Sequence, residues 1–410
     1  MLTLSLVAFL VPALTLQDAA PTAAARSRPV TSPAPAVADA LHDLGPTLEP
    51  IRKKHDLPAL VGMVLTSDGP VAEGYTGVRK RGVDTAVEKQ DRLHLGSCTK
   101  AMTGTLIARY IEEDKLAWDT TIASVFPDLA DEMKPAWRDV TLAQLLSHTA
   151  GAPHDLRGFR PLGVAVSTGQ APLRDLRRRV VQDITSEDPA FEPGTSWTYS
   201  NWGFVIAGAM LEERTDTLWE TLVAERLFEP LGMADTGFGP PHRPYALGPD
   251  ADPPASLPGP CGHSGKGAPT PGIDNPATIG PAGTVHAPLA DWAEFVRLHL
   301  RGARGDEGLL LSPETFAFLH QPQPGSQGTY GAGWMTFRRQ WSQGPVLAHN
   351  GSNTLWFAWV WIAPHEDFAV LVVTNQGGEA AGKGADEAAF ALITEHLART
   401  SEGTHAGEGD

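Results

Sequence analysis

Cysteine and positive charge are scarce in this chain. Of its 410 residues, Cys98 and Cys261 are the cysteines, and 32 basic residues stand against 48 acidic ones, which gives a net charge of −16. Two cysteines are too few for a disulfide scaffold or a zinc ribbon, and the sequence leaves open whether they pair. The negative charge argues against nucleic acid or an anionic membrane as the main partner. A hydrophobic share of 42% allows a large buried core.

Long hydrophobic runs are also lacking, apart from residues 2–16. That run is too short for a comfortable membrane span, and the small residues after it include three alanines at 23–25 that offer a cleavage site. The run departs from the usual leader in having no Lys or Arg before it. We predict a signal peptide and export to the periplasm or the extracellular space, with no stable membrane span in the mature chain.

Hydrophobic periodicity predicts strands near both ends of the chain and helices between them. Apolar runs at 59–66 and 71–78 form a predicted hairpin, and further strands are predicted within 331–374. The simplest arrangement is an antiparallel sheet built from both chain ends and flanked by helices, with a mostly helical lobe beside it. The expected fold class is therefore α/β (α+β).

The expected organisation is one domain between two segments without core-forming power. Within it, residues 240–281 are rich in proline and glycine and are predicted to be a long surface loop. The predicted units are a signal peptide (1–25), a linker (26–35), the domain (36–398), its sheet lobe (about 36–96 and 286–398), its helical lobe (about 97–285) and a flexible tail (399–410).

The segment 95–100, Leu-Gly-Ser-Cys-Thr-Lys, begins a predicted buried helix. Ser97 and Lys100 are three residues apart, which places both side chains on one face of that helix. The serine hydroxyl then lies beside an amine and beside the N–H groups of the first helical turn, which can stabilise an oxyanion. Ser-x-x-Lys also occurs by chance, so the catalytic interpretation depends on the rest of the chain.

A second candidate element lies at 193–201, where a Pro-Gly turn leads into an extended segment. Tyr199 and Asn201 project on the same side of that segment. Tyrosine has a reference pKa of about 10, so it acts as a base only where cations hold its phenolate. Asn201 offers a donor and an acceptor that can orient an amide or ester group.

A third candidate element is 346–352, a strand whose glycine allows a close approach of backbone to a ligand. His349 can donate to a serine or tyrosine site. The N–H groups of Ser352 and Ser97 can together form an oxyanion hole. His349, Asn350 and Gly351 are the substrate-binding candidates of this strand, in addition to Asn201.

In order along the chain, Ser-x-x-Lys, Tyr-x-Asn and His-x-Gly resemble the motifs of the serine β-lactamase-related hydrolases, which include class C β-lactamases, DD-peptidases and related esterases. The resemblance runs from about residue 36 to 398. Further stretches that look like the same family are 145–151 (LLSHTAG), 199–203 (YSNWG), 229–233 (EPLGM), 281–283 (PAG) and 330–334 (YGAGW).

The resemblance implies a β-lactamase/transpeptidase-like fold, with the site in the cleft between the sheet and the helical lobe. Ser97 would attack a carbonyl carbon and form an acyl-enzyme, while Lys100 and Tyr199 would share its proton. Which of the two is the resting base stays open, because they titrate as a coupled pair. No cofactor is implied, and the expected substrate is a small molecule or peptide with an amide or ester carbonyl.

His349 stands where β-lactamases usually carry a lysine, and Asn350 replaces the usual Thr or Ser. Histidine is mostly neutral at pH 7, so a permanent cation for a substrate carboxylate is missing. A serine hydrolase acting on an amide or ester is the leading hypothesis. A β-lactamase or a D-Ala-D-Ala carboxypeptidase is the alternative within the class, and a non-catalytic penicillin-binding or sensor module is the alternative outside it.

Other conspicuous residues are assigned structural roles. Cys98 is expected to be a small buried side chain. Ser147 and His148 are expected to end a helix and to hold the following turn. The basic run 177–179 is expected to be a solvated helix face. The histidines show no metal-ligand spacing, so no metal is expected.

Overall fold

The structure is a computed structural model that describes residues 41–154, 172–242, 244–245, 258–270 and 272–406. The predicted signal peptide and linker lie outside the described residues. Strands are concentrated near the two ends of the described chain. They are β1 (His42–Asp43), β2 (Ala59–Thr66), β3 (Gly69–Lys80), β4 (Val83–Ala86), β5 (Leu93–His94), β6 (Gly237–Phe238), β7 (Val285–Ala287), β8 (Met335–Arg338), β9 (Pro345–Ser352), β10 (Phe357–Ala363) and β11 (Phe368–Thr374).

Within the described residues, eight strands form the central sheet in the order β1-β3-β2-β11-β10-β9-β8, with β4 paired to β3. β2 and β3 form a hairpin, and so do β10 and β11. The two ends of the chain meet where β2 pairs with β11, as at Val64 and Val370. The predicted sheet built from both chain ends is confirmed, except that β1 runs parallel to β3.

A smaller sheet, in the order β5-β7-β6, is not predicted from the sequence. Each of its strands has two or three residues, which is too few to show a period of two. Leu93 and His94 of β5 pair with Ala287 and His286 of β7. This sheet leads the chain directly into Ser97.

Helices cover both faces of the central sheet. They are α1 (Gly45–Lys54), α2 (Thr99–Glu112), α3 (Ile122–Val125), α4 (Pro135–Arg138), α5 (Leu142–Leu146), α6 (Leu173–Thr185), α7 (Asn201–Thr215), α8 (Trp219–Val223), α9 (Glu229–Leu231), α10 (Gly280–Gly283), α11 (Leu289–Ala303), α12 (Pro313–His320) and α13 (Glu379–Ala406). Among the described residues, none of these helices is both long and apolar enough to cross a bilayer.

Strand β2 shows how the two faces are buried. Its Val61 and Met63 pack into a core with α2 and α11, whereas its Leu60 and Val64 pack into a second core with α1 and α13. Because helices cover both faces, the sequence of the strand is a continuous apolar run rather than an alternation of apolar and polar residues. Helix α2, which follows Ser97, is buried along most of its length, as predicted.

Two predictions need correction. The segment 240–281 does not lie wholly on the surface, because Cys261 and His263 are buried. The N–H of Cys261 donates to the carbonyl of Arg79 (2.9 Å), so the backbone at this point is hydrogen bonded within the protein. A segment rich in proline and glycine can therefore be partly buried. Helix α13 continues to Ala406, so residues 399–406 belong to the helix rather than to the predicted tail.

Candidate active site

Ser97 lies between β5 and α2 in a single 3-10 turn, Gly96–Cys98. Oγ1 of Thr99 donates to the carbonyl of Gly96 (2.7 Å), which holds this turn at the start of the helix. Nζ of Lys100 lies 3.1 Å from Oγ of Ser97, as the three-residue spacing predicts. Lys100 is buried and Ser97 is partly exposed, so a substrate reaches the hydroxyl before the amine.

The amine of Lys100 has two further partners. Oδ1 of Asn201 and the carbonyl oxygen of Ala282 each lie 2.7 Å from Nζ. Burial holds the pKa of Lys100 well below its usual range. The sequence assigns Asn201 to substrate binding, and the structure places its amide oxygen on the lysine.

Tyr199 lies two residues before the start of α7, and its hydroxyl donates to Oγ of Ser97 at 2.7 Å. Oγ of Ser200 caps α7 by accepting the N–H of Trp202 (3.1 Å), which fixes the direction of the chain at Tyr199. Burial raises the pKa of Tyr199 well above its usual value, and the hydrogen bond to Ser97 opposes part of this shift. Three side chains from two distant segments therefore meet at one oxygen atom, that of Ser97.

His148 packs against this group, although the sequence indicates only a turn. Its Nδ1 accepts the N–H of Ser200 (3.2 Å), and its ring centre lies 4.5 Å from that of Tyr199. The predicted helix end is correct, because α5 stops before Ser147 and the Ser147 hydroxyl donates to a carbonyl of that helix (2.7 Å). The signal that points to His148 is its place in the stretch 145–151, one of those that resemble the family.

His349 on β9 is buried, and both of its ring nitrogens are hydrogen bonded. Nδ1 lies 2.6 Å from the carbonyl oxygen of Asn350 and must donate to it, so Nε2 accepts the hydroxyl of Tyr330 (2.8 Å). Burial lowers the pKa of His349 to about 3, which keeps the ring neutral. Asn350 alternates with His349 along the strand, so its side chain leaves the sheet on the opposite face.

Two glycines allow the backbone amides of Ser97 and Ser352 to approach each other. A Cβ atom on Gly96, whose φ is +53°, would lie 2.4 Å from the amide nitrogen of Ser352. A Cβ atom on Gly351 would lie 2.6 Å from the amide nitrogen of Ser97. Each glycine therefore makes room for the amide of the other segment. The two N–H groups that the sequence assigns to an oxyanion hole are neighbours.

The segment that carries the Ala282 carbonyl is anchored by Arg177. This side chain is fully buried, pairs with Glu212 and Glu220, and donates to the carbonyl of Ala277 (2.9 Å). The prediction that the basic run is a solvated face is therefore wrong for Arg177. The two carboxylates compensate its charge, which makes burial of a guanidinium tolerable.

Both cysteines are buried and free, so no disulfide joins Cys98 and Cys261. Burial raises the pKa of each thiol, which disfavours the reactive thiolate. Cys98 packs behind the site, with its sulfur 3.7 Å from the carbonyl oxygen of His349. It is the small buried side chain that the sequence predicts.

The sequence of the chain is similar to those of several known proteins. A model of the family described as Beta-lactamase matches residues 45–394. Penicillin-binding protein 4 of Amycolatopsis lactamdurans is 28% identical over 337 residues, which cover 80% of this chain and 83% of that protein. Lovastatin esterase of Penicillium rubens is 28% identical over 251 residues, which cover 58% of this chain and 61% of that protein.

The fold also matches a solved structure of SurE with D-Leu. The TM-score is 0.68 at 21% sequence identity, and the match covers 85% of this chain and 74% of that one. At this level of identity the likeness concerns the fold. It supports the fold described above, a central sheet with helices on both faces.

Proposed function

Because this chain belongs to the Beta-lactamase family of hydrolases, we propose that it is a serine hydrolase that cleaves an ester or amide bond through an acyl-enzyme on Ser97. The observation that carries the proposal is the convergence on Oγ of Ser97, which lies 3.1 Å from Nζ of Lys100 and 2.7 Å from the hydroxyl of Tyr199. A serine with a proton acceptor and a proton donor in contact is equipped for acyl transfer.

Lys100 is the proposed base. Its burial favours the neutral amine, which has two N–H groups and one lone pair. The N–H groups have acceptor-only partners in Oδ1 of Asn201 and the carbonyl oxygen of Ala282. The lone pair is then directed at Ser97 and takes its proton as Oγ bonds to the substrate carbonyl carbon.

Tyr199 is the proposed acid. Its phenol donates to Oγ of Ser97, and when the tetrahedral intermediate collapses it passes its proton to the leaving group. The proton that Lys100 took from Ser97 then returns to the phenolate, because Nζ and the Tyr199 hydroxyl both contact the same atom, Oγ of Ser97. The N–H groups of Ser97 and Ser352 would hold the oxyanion. Water then replaces the leaving group, and the same groups act in reverse to release the acid.

The state of His349 supports a substrate without a carboxylate beside the scissile bond. A β-lactam or a D-Ala-D-Ala peptide carries such a carboxylate, which is best held by a cation. The His349 ring is neutral and both its nitrogens are already engaged. Hydrolysis of an uncharged ester or amide is therefore proposed ahead of β-lactamase or carboxypeptidase activity.

The test is covalent labelling of the protein with a fluorophosphonate while hydrolysis of p-nitrophenyl esters, D-amino-acid amides and nitrocefin is followed. We expect one adduct, on the peptide that contains Ser97, and loss of activity in proportion to labelling. Ser97→Ala should abolish both. Ser147→Ala is the matched control and should keep both, because the Ser147 hydroxyl bonds to a backbone carbonyl. An adduct elsewhere, or an active enzyme that stays unlabelled, would overturn the proposal.

A further inference from the structure

Asp274 lies before α10, and its carboxylate is fully buried. Oδ1 accepts Nδ2 of Asn353 (2.7 Å) and the N–H of Asn275 (2.6 Å). Oδ2 lies 3.0 Å from Nε2 of His94, which is also fully buried. Within the described residues neither of these last two atoms has an aligned hydrogen-bonding partner, so the contact between them is a close approach of two buried polar groups. The carboxylate therefore connects three separate segments behind the candidate site.

The contact with His94 leads to the turn that holds the serine. Nδ1 of His94 accepts the N–H of Gly96 at 3.0 Å. A neutral imidazole has a single N–H, so its hydrogen is on Nε2, the atom that faces Asp274. The carboxylate selects the tautomer that holds Gly96, and Gly96 precedes Ser97.

The contact with Asn353 leads to the second amide of the proposed oxyanion hole. While Nδ2 of Asn353 donates to Asp274, its Oδ1 accepts the N–H groups of Leu355 (3.1 Å) and Trp356 (3.0 Å). These bonds define the turn after β9, and Ser352 is the residue immediately before Asn353. The carboxylate thus holds both sides of the amide pair.

Asn275 extends the same network toward the lysine. Its Nδ2 donates to the carbonyl of Gly283 (2.8 Å). Gly283 follows Ala282, whose carbonyl oxygen lies 2.7 Å from Nζ of Lys100. Asp274 and Asn275 are therefore connected to the chain at Gly96, Asn353 and Gly283. In the part of the chain that the structure describes, they make no such connection to the segment that carries Tyr199.

We propose that Asp274 is a positioning residue that acts through His94 and Asn353 to fix the spacing between the N–H groups of Ser97 and Ser352. The inference rests on the proposed function, because that amide pair has its effect only on an oxyanion. Such donors work within about 2.7–3.1 Å of the oxyanion, so a small shift of either segment weakens the transition state more than the bound substrate.

The test is Asp274→Asn, which keeps the size of the side chain. Its carbonyl can still accept from Asn353, but its amino group faces the N–H of His94, so the ring is expected to change tautomer and release Gly96. We expect the acylation rate to fall about tenfold to hundredfold with KM changed by less than about twofold, because removing an oxyanion donor outright costs about a hundredfold to a thousandfold in kcat.

The distinguishing readout is ¹⁵N NMR of the histidine rings. It should show the His94 proton on Nε2 in the unaltered protein and on Nδ1 in Asp274→Asn, a change that loss of stability alone would not produce. The matched control is Asp291→Asn, since Asp291 also accepts two hydrogen bonds, from Asp235 (2.8 Å) and Thr236 (3.0 Å). It should leave the acylation rate unchanged.

Folded Asp274→Asn with an unchanged acylation rate would overturn this inference and leave the proposed function standing. A protein that hydrolyses none of the substrates and is not labelled at Ser97 would contradict the proposed function instead. Should Asp274→Asn fail to fold, Asn353→Ala removes one arm of the network and is expected to lower the acylation rate with little change in KM. An unchanged rate in folded Asn353→Ala would equally overturn the inference.

Discussion

At the scale of single residues, burial shifts the pKa values of two side chains in opposite directions, and each shift favours the neutral form. Desolvation lowers the pKa of Lys100 and raises the pKa of Tyr199. An uncharged amine is a base and an uncharged phenol is an acid, so Ser97 has a proton acceptor on one side and a donor on the other. The proposed roles follow from the burial of these groups rather than from a charged neighbour.

Replacing Tyr199 by phenylalanine tests the proposed acid. The change removes the hydroxyl that donates to Ser97 and keeps the ring that packs against His148. We expect kcat/KM for p-nitrophenyl esters to fall by at least about a hundredfold, which is the usual contribution of a positioned acid or base. Steady-state kinetics at pH 7 measures the effect.

Tyr75→Phe is the matched control for this prediction. The Tyr75 hydroxyl donates to Glu73 (3.3 Å), and both residues are on β3, so the same atom is removed from a strand of the central sheet instead of from the Ser97 site. Its kcat/KM should equal that of the unaltered protein. If Tyr199→Phe also retained the full rate, Tyr199 would have no part in the reaction.

Residues of the site differ in how far the sequence predicts them. Ser97 and Lys100 lie within one helical turn, so their contact follows from spacing alone. Tyr199 joins them only by resemblance to a family. His94 and Asp274 lie in no motif and are far apart in the chain, and their contact exists only in the folded protein. No pattern in the sequence indicates that these two residues are in contact.

At the scale of elements, predictability follows the length of the periodic pattern. The strands β2, β10 and β11 and the helix α2 are long apolar segments, and the sequence indicates each of them. The sheet β5-β7-β6 is too short to have a period. Helix α6 is predicted, but Arg177 of its basic run is buried. Its carboxylate partners, Glu212 and Glu220, lie far away in the sequence, so the pattern of the helix alone does not reveal them.

The cluster of Arg177, Glu212 and Glu220 therefore holds helix α6, and a substitution of Arg177 tests its contribution to stability. In Arg177→Met the carboxylates of Glu212 and Glu220 lose their cation while they stay buried. We expect the free energy of unfolding to fall by about 3–5 kcal/mol, the usual cost of breaking a buried ion pair from one side. Urea denaturation at pH 7 measures this change.

Arg179→Met provides the comparison on the same helix. The Arg179 side chain is 62% exposed and pairs with Asp183 one turn away, and such surface pairs contribute little. We expect a change within about 0.5 kcal/mol. Equal losses in the two variants would mean that the buried cluster contributes no more than a surface ion pair.

At the scale of the whole molecule, buried histidines link stability to pH. Burial lowers the pKa of His286 to about 4 and those of His320 and His349 to about 3, and it lowers those of His148 and His299 as well. His299 and His320 contact each other, and all five residues have a neutral ring in a desolvated place. A charge on any of these rings would be desolvated, so the folded state resists protonation.

The sign of the pH dependence follows from these shifts. The unfolded chain binds protons at histidine below about pH 6.5, whereas the folded chain cannot until the pH reaches the lowered values. The stabilising effect of the neutral rings is therefore complete above pH 6.5 and is lost progressively as the pH falls toward 4 and then 3. Each such histidine should lower the free energy of unfolding by up to about 1.4 kcal/mol per pH unit in that window.

Urea denaturation at about pH 7, 6 and 5 should show this decline, and His320→Gln should reduce its slope by up to about 1.4 kcal/mol per pH unit. A glutamine can still bond to His299, which lies 2.9 Å from the His320 ring, so the change removes mainly the titrating group. His365→Gln replaces an exposed histidine and should leave the slope as it is. If the free energy of unfolding were constant from pH 7 to 5, or if His320→Gln and His365→Gln gave equal slopes, burial of neutral histidine would not be what makes this fold sensitive to acid.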